Sequence, residues 1–192
     1  VDLTGKMLNV NDYCLLKLDA EGSLQWNRTY GGSKDDRGQS VVQTYDGGYA
    51  IVGYAMSDDG DGSNNEGFHD NWILRLDSNG NILWEKSFGF SGHDHSYDVV
   101  QTSDGGFFFS GFLDVTSSEG EGNSGKSPYL TRHGVGEFWG TRLDADGDLV
   151  WRRFFGGTNN DRSFGVGEAR DGSLVMVGAA ESDDFDVSDS KG

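Results

Sequence analysis

The residues best suited to chemistry lie in three polar stretches of this 192-residue chain. In residues 54–69, oxygen-bearing side chains alternate as Asp59, Asp61, Ser63 and Asn65. Residues 179–192 repeat that rhythm with Asp184, Asp186, Ser188 and Ser190, and residues 112–136 carry a softened version, Ser117, Glu119, Glu121 and Asn123. Hard oxygens at every second position of a Gly-rich loop resemble the early ligands of a calcium loop, where they must converge on one cation. On this reading Asp59, Asp61, Ser63, Asn65, Asp184, Asp186 and Ser188 are metal ligands and calcium is the cofactor. No bidentate Glu closes the pattern at the EF-hand spacing. The same side chains suit Asx and Ser turns that cap their own backbone, and the sequence leaves both readings open.

Two other places break the regularity of the chain. His93-Asp94-His95, with Tyr97 beyond it, puts two imidazoles on one face of a strand, which suits a transition metal. No third ligand stands near them in sequence. The long stretch 112–136 contains Pro128, Tyr129, Arg132 and His133. Long insertions on rigid scaffolds are where ligand contacts tend to sit, so Tyr129, Arg132 and His133 are the candidate ligand loop. A polysaccharide-active enzyme would need paired carboxylates from non-equivalent positions, for which Glu119, Glu121 and Glu137 are the candidates. No GxSxG, HExxH, P-loop or GxGxxG element has its required context. No catalytic or cofactor-binding residue is assigned.

These stretches separate three copies of one unit, at residues 12–53, 70–111 and 137–178. A Leu-Asp-x-x-Gly-x-x-x-Trp signature falls at Leu18/Asp19/Gly22/Trp26, Leu76/Asp77/Gly80/Trp84 and Leu143/Asp144/Gly147/Trp151. Each copy reads as four short strands: residues 13–18, 23–30, 39–44 and 49–52 in the first copy, with matching positions in the others. Asp-x-x-Gly and Asp-Gly turns join them as hairpins. No useful stretch carries a helical period with caps. The class is all-β. Four antiparallel strands per unit of this length fit a β-propeller, or a propeller segment, of three four-stranded blades, with the β-trefoil as the competing fold. Flat blades stacked face on face would bury Trp26, Trp84 and Trp151 between neighbours. Residues 1–192 then form a single repeat domain.

Residues that recur hold up each unit. Asp36, Asp94 and Asp161 recur beyond the Gly-rich turn and are read as capping that turn or bonding the next blade. Gln43, Gln101 and Glu168 are read as bonding backbone at a blade edge.

At these residues the chain resembles the repeats of secreted, multi-blade β-propeller proteins of Bacteroidetes-type bacteria. The resemblance rests on residues 72–84 (WILRLDSNGNILW) and 101–107 (QTSDGGF), and covers nearly the whole chain. The third copy departs from it at residues 168–173 (EARDGS). The hairpin with its Trp is also similar to quinoprotein-like blades and, loosely, to the Asp-box of sialidases, and the catalytic residues of neither carry over. The resemblance implies an exported or cell-surface binding protein, with a protein or glycan partner. Fold alone does not supply an activity. Val1-Asp2-Leu3-Thr4 is similar to Phe185-Asp186-Val187-Ser188, so both ends are expected in the same kind of loop. Three repeats are then a fragment of a longer array, blades completed by another chain, or a small closed ring.

Composition bounds the partners. A formal net charge of -17 repels phosphate backbones and argues against nucleic acid. No run approaches the length of a membrane helix, and no signal peptide is visible. Cys14 is alone, so no intrachain disulfide forms. Within Tyr13-Cys14-Leu15-Leu16 it reads as a buried small hydrophobe.

Overall fold

The computed structural model describes residues 10–115 and 136–187. Tyr129, Arg132, His133, Ser188, Ser190, Glu119, Glu121, Ser117 and Asn123 lie outside the described residues, as does the segment 1–4. The described residues form twelve strands in four antiparallel sheets and no helix. Strands β1 (Tyr13–Leu18) and β2 (Leu24–Tyr30) make a two-stranded sheet. Strands β3 (Asp36–Gln43), β4 (Tyr49–Ala55), β5 (Asp70–Leu76) and β6 (Ile82–Phe88) make the first four-stranded sheet, in that order. Strands β7 (His95–Gln101), β8 (Phe107–Asp114), β9 (Gly136–Leu143) and β10 (Leu149–Phe155) make the second. Strands β11 (Asp161–Glu168) and β12 (Leu174–Ala180) form another two-stranded sheet.

The three repeats therefore do not fold as three four-stranded sheets. Each copy gives two strands to one sheet and two to the next, and the boundary falls at the Gly-rich turn in mid-repeat. The polar stretch 54–69, expected to separate blades, instead joins hydrogen-bonded neighbours. Strands β4 and β5 pair without a register shift from Tyr49↔Leu76 to Ala55↔Asp70. Strands β8 and β9 do the same from Phe107↔Leu143 to Asp114↔Gly136.

The cause is the recurring acid. Asp36 is fully buried. Its carboxylate accepts bonds from Gly32 N (2.9 Å), Met56 N (3.0 Å), Ser57 N (3.1 Å) and Ser57 Oγ (2.7 Å). The Gly-rich turn is thus satisfied by a side chain rather than by a ladder, and the chain is free to leave the sheet. Asp161 repeats the arrangement with Gly157 N, Glu181 N, Ser182 N and Ser182 Oγ at 2.6–3.2 Å. Asp94 accepts from Phe90 N (2.7 Å) and Asp114 N (2.9 Å).

The hairpins follow their turn chemistry. Gly22, Gly80 and Gly147 have φ of +84°, +79° and +83°, which an L side chain resists, while Asp19 Oδ1 accepts from Ser23 N at 2.7 Å. In the Asp-Gly hairpins, the acid is also gripped by the neighbouring strand: Arg75 on β5 pairs with Asp46 at 2.5 Å, and Arg142 on β9 with Asp104 at 2.6 Å.

Apolar side chains fill the spaces between sheets. Tyr13, Tyr30, Ile51, Trp72, Leu74 and Leu76 pack between β1–β2 and the first four-stranded sheet. Val52, Ile73, Val99, Phe107, Phe109 and Leu143 pack between the two four-stranded sheets. Trp26, Trp84 and Trp151 are half-buried rather than buried. Trp26 meets Tyr49 and Trp84 meets Phe107, each edge-on across a sheet boundary. The fully buried tryptophans are Trp72 and Trp139. Polar bridges join the same spaces: Gln101 Oε1 accepts from Tyr45 N (2.8 Å), and Glu168 from Ser103 N (2.7 Å). Cys14 is exposed, not buried. On β1 the alternation turns Tyr13 and Leu15 toward the first four-stranded sheet and Cys14 away from it.

Asp36→Ala removes the acceptor of four donors, of which Met56 N keeps Asp35 O, so a loss of roughly 3 kcal/mol is expected in urea unfolding. Asp171→Ala, at an exposed hairpin, should cost well under half of that.

Candidate functional site

The densest group of ligating side chains sits where the two four-stranded sheets adjoin. His69 immediately precedes β5, His93 lies in the turn after β6, and His95 opens β7. The backbone brings them together. His69 and His93 form an isolated parallel bridge, and Asp94 N donates to His69 O at 2.8 Å. His69 Nδ1 then stands 2.8 Å from His93 Nδ1 and 3.1 Å from His95 Nε2. All three ligand atoms lie within 4.8 Å of one another. Among the described residues, this is the one such group of His, Cys, Asp or Glu.

Aromatic rings surround it. Tyr54 lies 4.5 Å from the rings of both His69 and His95, and Phe68 lies 4.9 Å and 4.6 Å from His69 and His93. His95 also faces Phe112 and Tyr97. Burial among these rings pushes His69 and His95 down to about 4, helped by the neighbouring imidazoles. His93 is exposed and opens the cluster to solvent.

The pair His93 and His95 is legible in sequence as His-x-His; the partner His69 is not, because it lies a strand hairpin away. Placing the repeats in register supplies the missing signal. Where the middle junction has His69, His93 and His95, the first has Asn11, Asp35 and Arg37, and the last has Gly136, Asn160 and Arg162.

The alternating oxygens of residues 54–69 take other partners. Asp59 Oδ1 accepts from Ser33 N (2.7 Å) and Asp61 Oδ2 from Gly31 N (3.2 Å). Ser63 donates to Glu85 on β6 (2.5 Å), and Asn65 spans Ala55 O and Gly67 N. Asp184 repeats the role of Asp59 with Thr158 N at 2.8 Å. Asp186 N donates to Gly156 O as Asp61 N donates to Gly31 O. Among the described residues, the same loop thus wraps over the first and third Gly-rich turns. Glu137 is fully buried on β9, at the position that Asp12 and Asp70 occupy in the other copies.

Proton uptake at the cluster has a fixed sign. The lowered values of His69 and His95 mean that their contribution to stability is present above pH 6.5 and lost as the pH falls toward 4. Burial raises Asp70 to about 6 and Asp94 to about 7, and their contribution runs the other way, lost as the pH rises toward those values. In an NMR titration of metal-free protein, the His69 and His95 ring protons are expected to turn near pH 4. Midpoints near 6.5 would contradict the buried geometry.

In comparison with known proteins, no family model matches this chain and no curated protein is similar to it in sequence.

Proposed function

We propose that the chain is a segment of a multi-blade β-propeller that serves as a non-catalytic binding or scaffolding module. In this reading it belongs to an exported or cell-surface bacterial protein and engages a protein or glycan through its loops. The observation that carries the propeller reading is a mismatch between equivalent positions. Leu16 and Leu18 on β1 are 54% and 52% exposed, whereas their equivalents Leu74 and Leu76 on β5 are fully buried. Val175 and Val177 on β12 are likewise 54% and 66% exposed, and their equivalents Phe108 and Ser110 on β8 are buried.

The two-stranded sheets therefore carry the residues of inner blades on faces that no described residue covers. Among the described residues, their edges agree. Strand β12 corresponds to β4 and β8, whose outer partners are β5 and β9; β1 corresponds to those partners. Further blades of the same or another chain complete both sheets in this scheme, as stacking of repeats requires. Face-on-face sheets favour a propeller over a trefoil. The binding role is supported by the sequence resemblance, by the long stretch 112–136 on a rigid scaffold, and by an acidic charge unsuited to nucleic acid.

A fusion of two copies in tandem tests the scheme by hydrogen exchange. At the internal junction, the amides of β11–β12 and β1–β2 should gain protection close to that of β4 and β5. Unchanged rapid exchange there would overturn the blade reading. For the binding role, the expected result is retention on a glycan array that is lost when residues 112–136 are shortened. Cleavage of a polysaccharide panel by the purified chain would overturn the non-catalytic assignment.

A further inference from the structure

We propose that His69, His93 and His95 together bind one divalent transition-metal ion, zinc foremost, across the junction of the two four-stranded sheets. This goes beyond the scaffolding role and does not depend on it.

A neutral imidazole nitrogen either donates one hydrogen bond or accepts one. His69 Nδ1 lies within bonding distance of two other ring nitrogens, at 2.8 Å and 3.1 Å. One shared proton satisfies one of those approaches and leaves the other as two nitrogens facing each other. A cation at the meeting point accepts all three lone pairs at once. Zinc–imidazole bonds of about 2.0–2.1 Å in a tetrahedral set place ligand nitrogens about 3.3 Å apart. The two short separations need a few tenths of an ångström of opening, and the third pair, His93 and His95, lies within 4.8 Å and closes toward the same value.

The other two junctions lack the imidazoles. The first junction has the same backbone contact, with Asp36 N donating to Asn11 O at 2.9 Å. There the side chains form an ordinary polar set. Asn11 Nδ2 donates to Asp35 Oδ1 at 2.5 Å, and Arg37 pairs with Asp35 at 2.9 Å. At the last junction Gly136 N donates to Asn160 Oδ1 at 3.2 Å. A polar contact at this place therefore needs no histidine. Only the middle junction replaces all three positions with imidazole, the commonest metal-ligating side chain.

The donor set names the class of ion. Three imidazole nitrogens suit zinc, copper or nickel and not calcium or magnesium, which take oxygen. Exposed His93 leaves a coordination position facing solvent, and the rings of Tyr54 and Phe68 hold the ligands in place. The ion would tie the start of β5 to the start of β7. In a chain with one cysteine, that is a crosslink a disulfide cannot provide.

The test uses the full chain without a histidine tag, stripped with chelator and titrated calorimetrically with zinc chloride. One ion per chain is expected, with a rise in Tm that magnesium does not reproduce. Cobalt in place of zinc should show the visible spectrum of a low-symmetry nitrogen site. His93→Asn alters an exposed ring, so the variant should keep the metal-free Tm while zinc affinity falls about a hundredfold or more. His95→Asn should lose zinc as well. No zinc uptake by the parent chain, or uptake undiminished in His93→Asn, would overturn the proposal.

Discussion

A carboxylate buried at each Gly-rich turn is the constraint on which the architecture rests. Asp36, Asp94 and Asp161 are each without solvent contact, and each closes a turn that a hairpin ladder would otherwise have to satisfy. A buried acid with too few donors is costly, so the surrounding loop must supply them. For Asp36 and Asp161 it does so from two directions, the turn before the acid and the segment after the next hairpin. One side chain therefore sets where the chain leaves a sheet, where the following hairpin ends, and how the next loop is draped. The His cluster inherits its geometry from the same device, since Asp94 stands between two of its members.

Much of the fold could be read from the residues. Strand β1 begins and ends where the pattern Tyr13–Leu18 places it, and the Asp-Gly hairpins fall where positive φ is needed. The grouping of strands into sheets was not legible. Register within a copy is written in alternation, but the choice between pairing β2 with β3 and pairing β4 with β5 depends on Asp36 reaching Ser57 across 21 residues. A spacing argument sees the polar stretch 54–69 as a boundary because it is irregular. In space it is a wide loop between hydrogen-bonded neighbours. The exposure of Cys14 is illegible for a related reason: apolar neighbours in sequence do not say which face of a hairpin has a sheet against it.

The candidate site was half legible. His-x-His announces two ligands because strand positions i and i+2 share a face. The third ligand comes from another sheet and is fixed by the parallel bridge between His69 and His93. The alternating oxygens in the loops also bond the neighbouring turns. Asp59 and Asp184 occupy equivalent places over equivalent turns, bonded to Ser33 N and Thr158 N. Those contacts are shared by the first and third turns, whereas the three histidines belong to the middle junction alone.

The half-unit offset between the copied segment and the hydrogen-bonded sheet has a mechanical consequence. Every seam between copies lies inside a sheet, where β4 is laced to β5 and β8 to β9. Every passage between sheets lies inside a copy, where the chain is continuous. No surface in the middle of this molecule is therefore both a covalent joint and a non-covalent one. Pulling two sheets apart strains the backbone, and pulling two copies apart must unzip a ladder. A repeat copied in phase with its sheets would leave weak joints at each boundary. This one is lapped like brickwork.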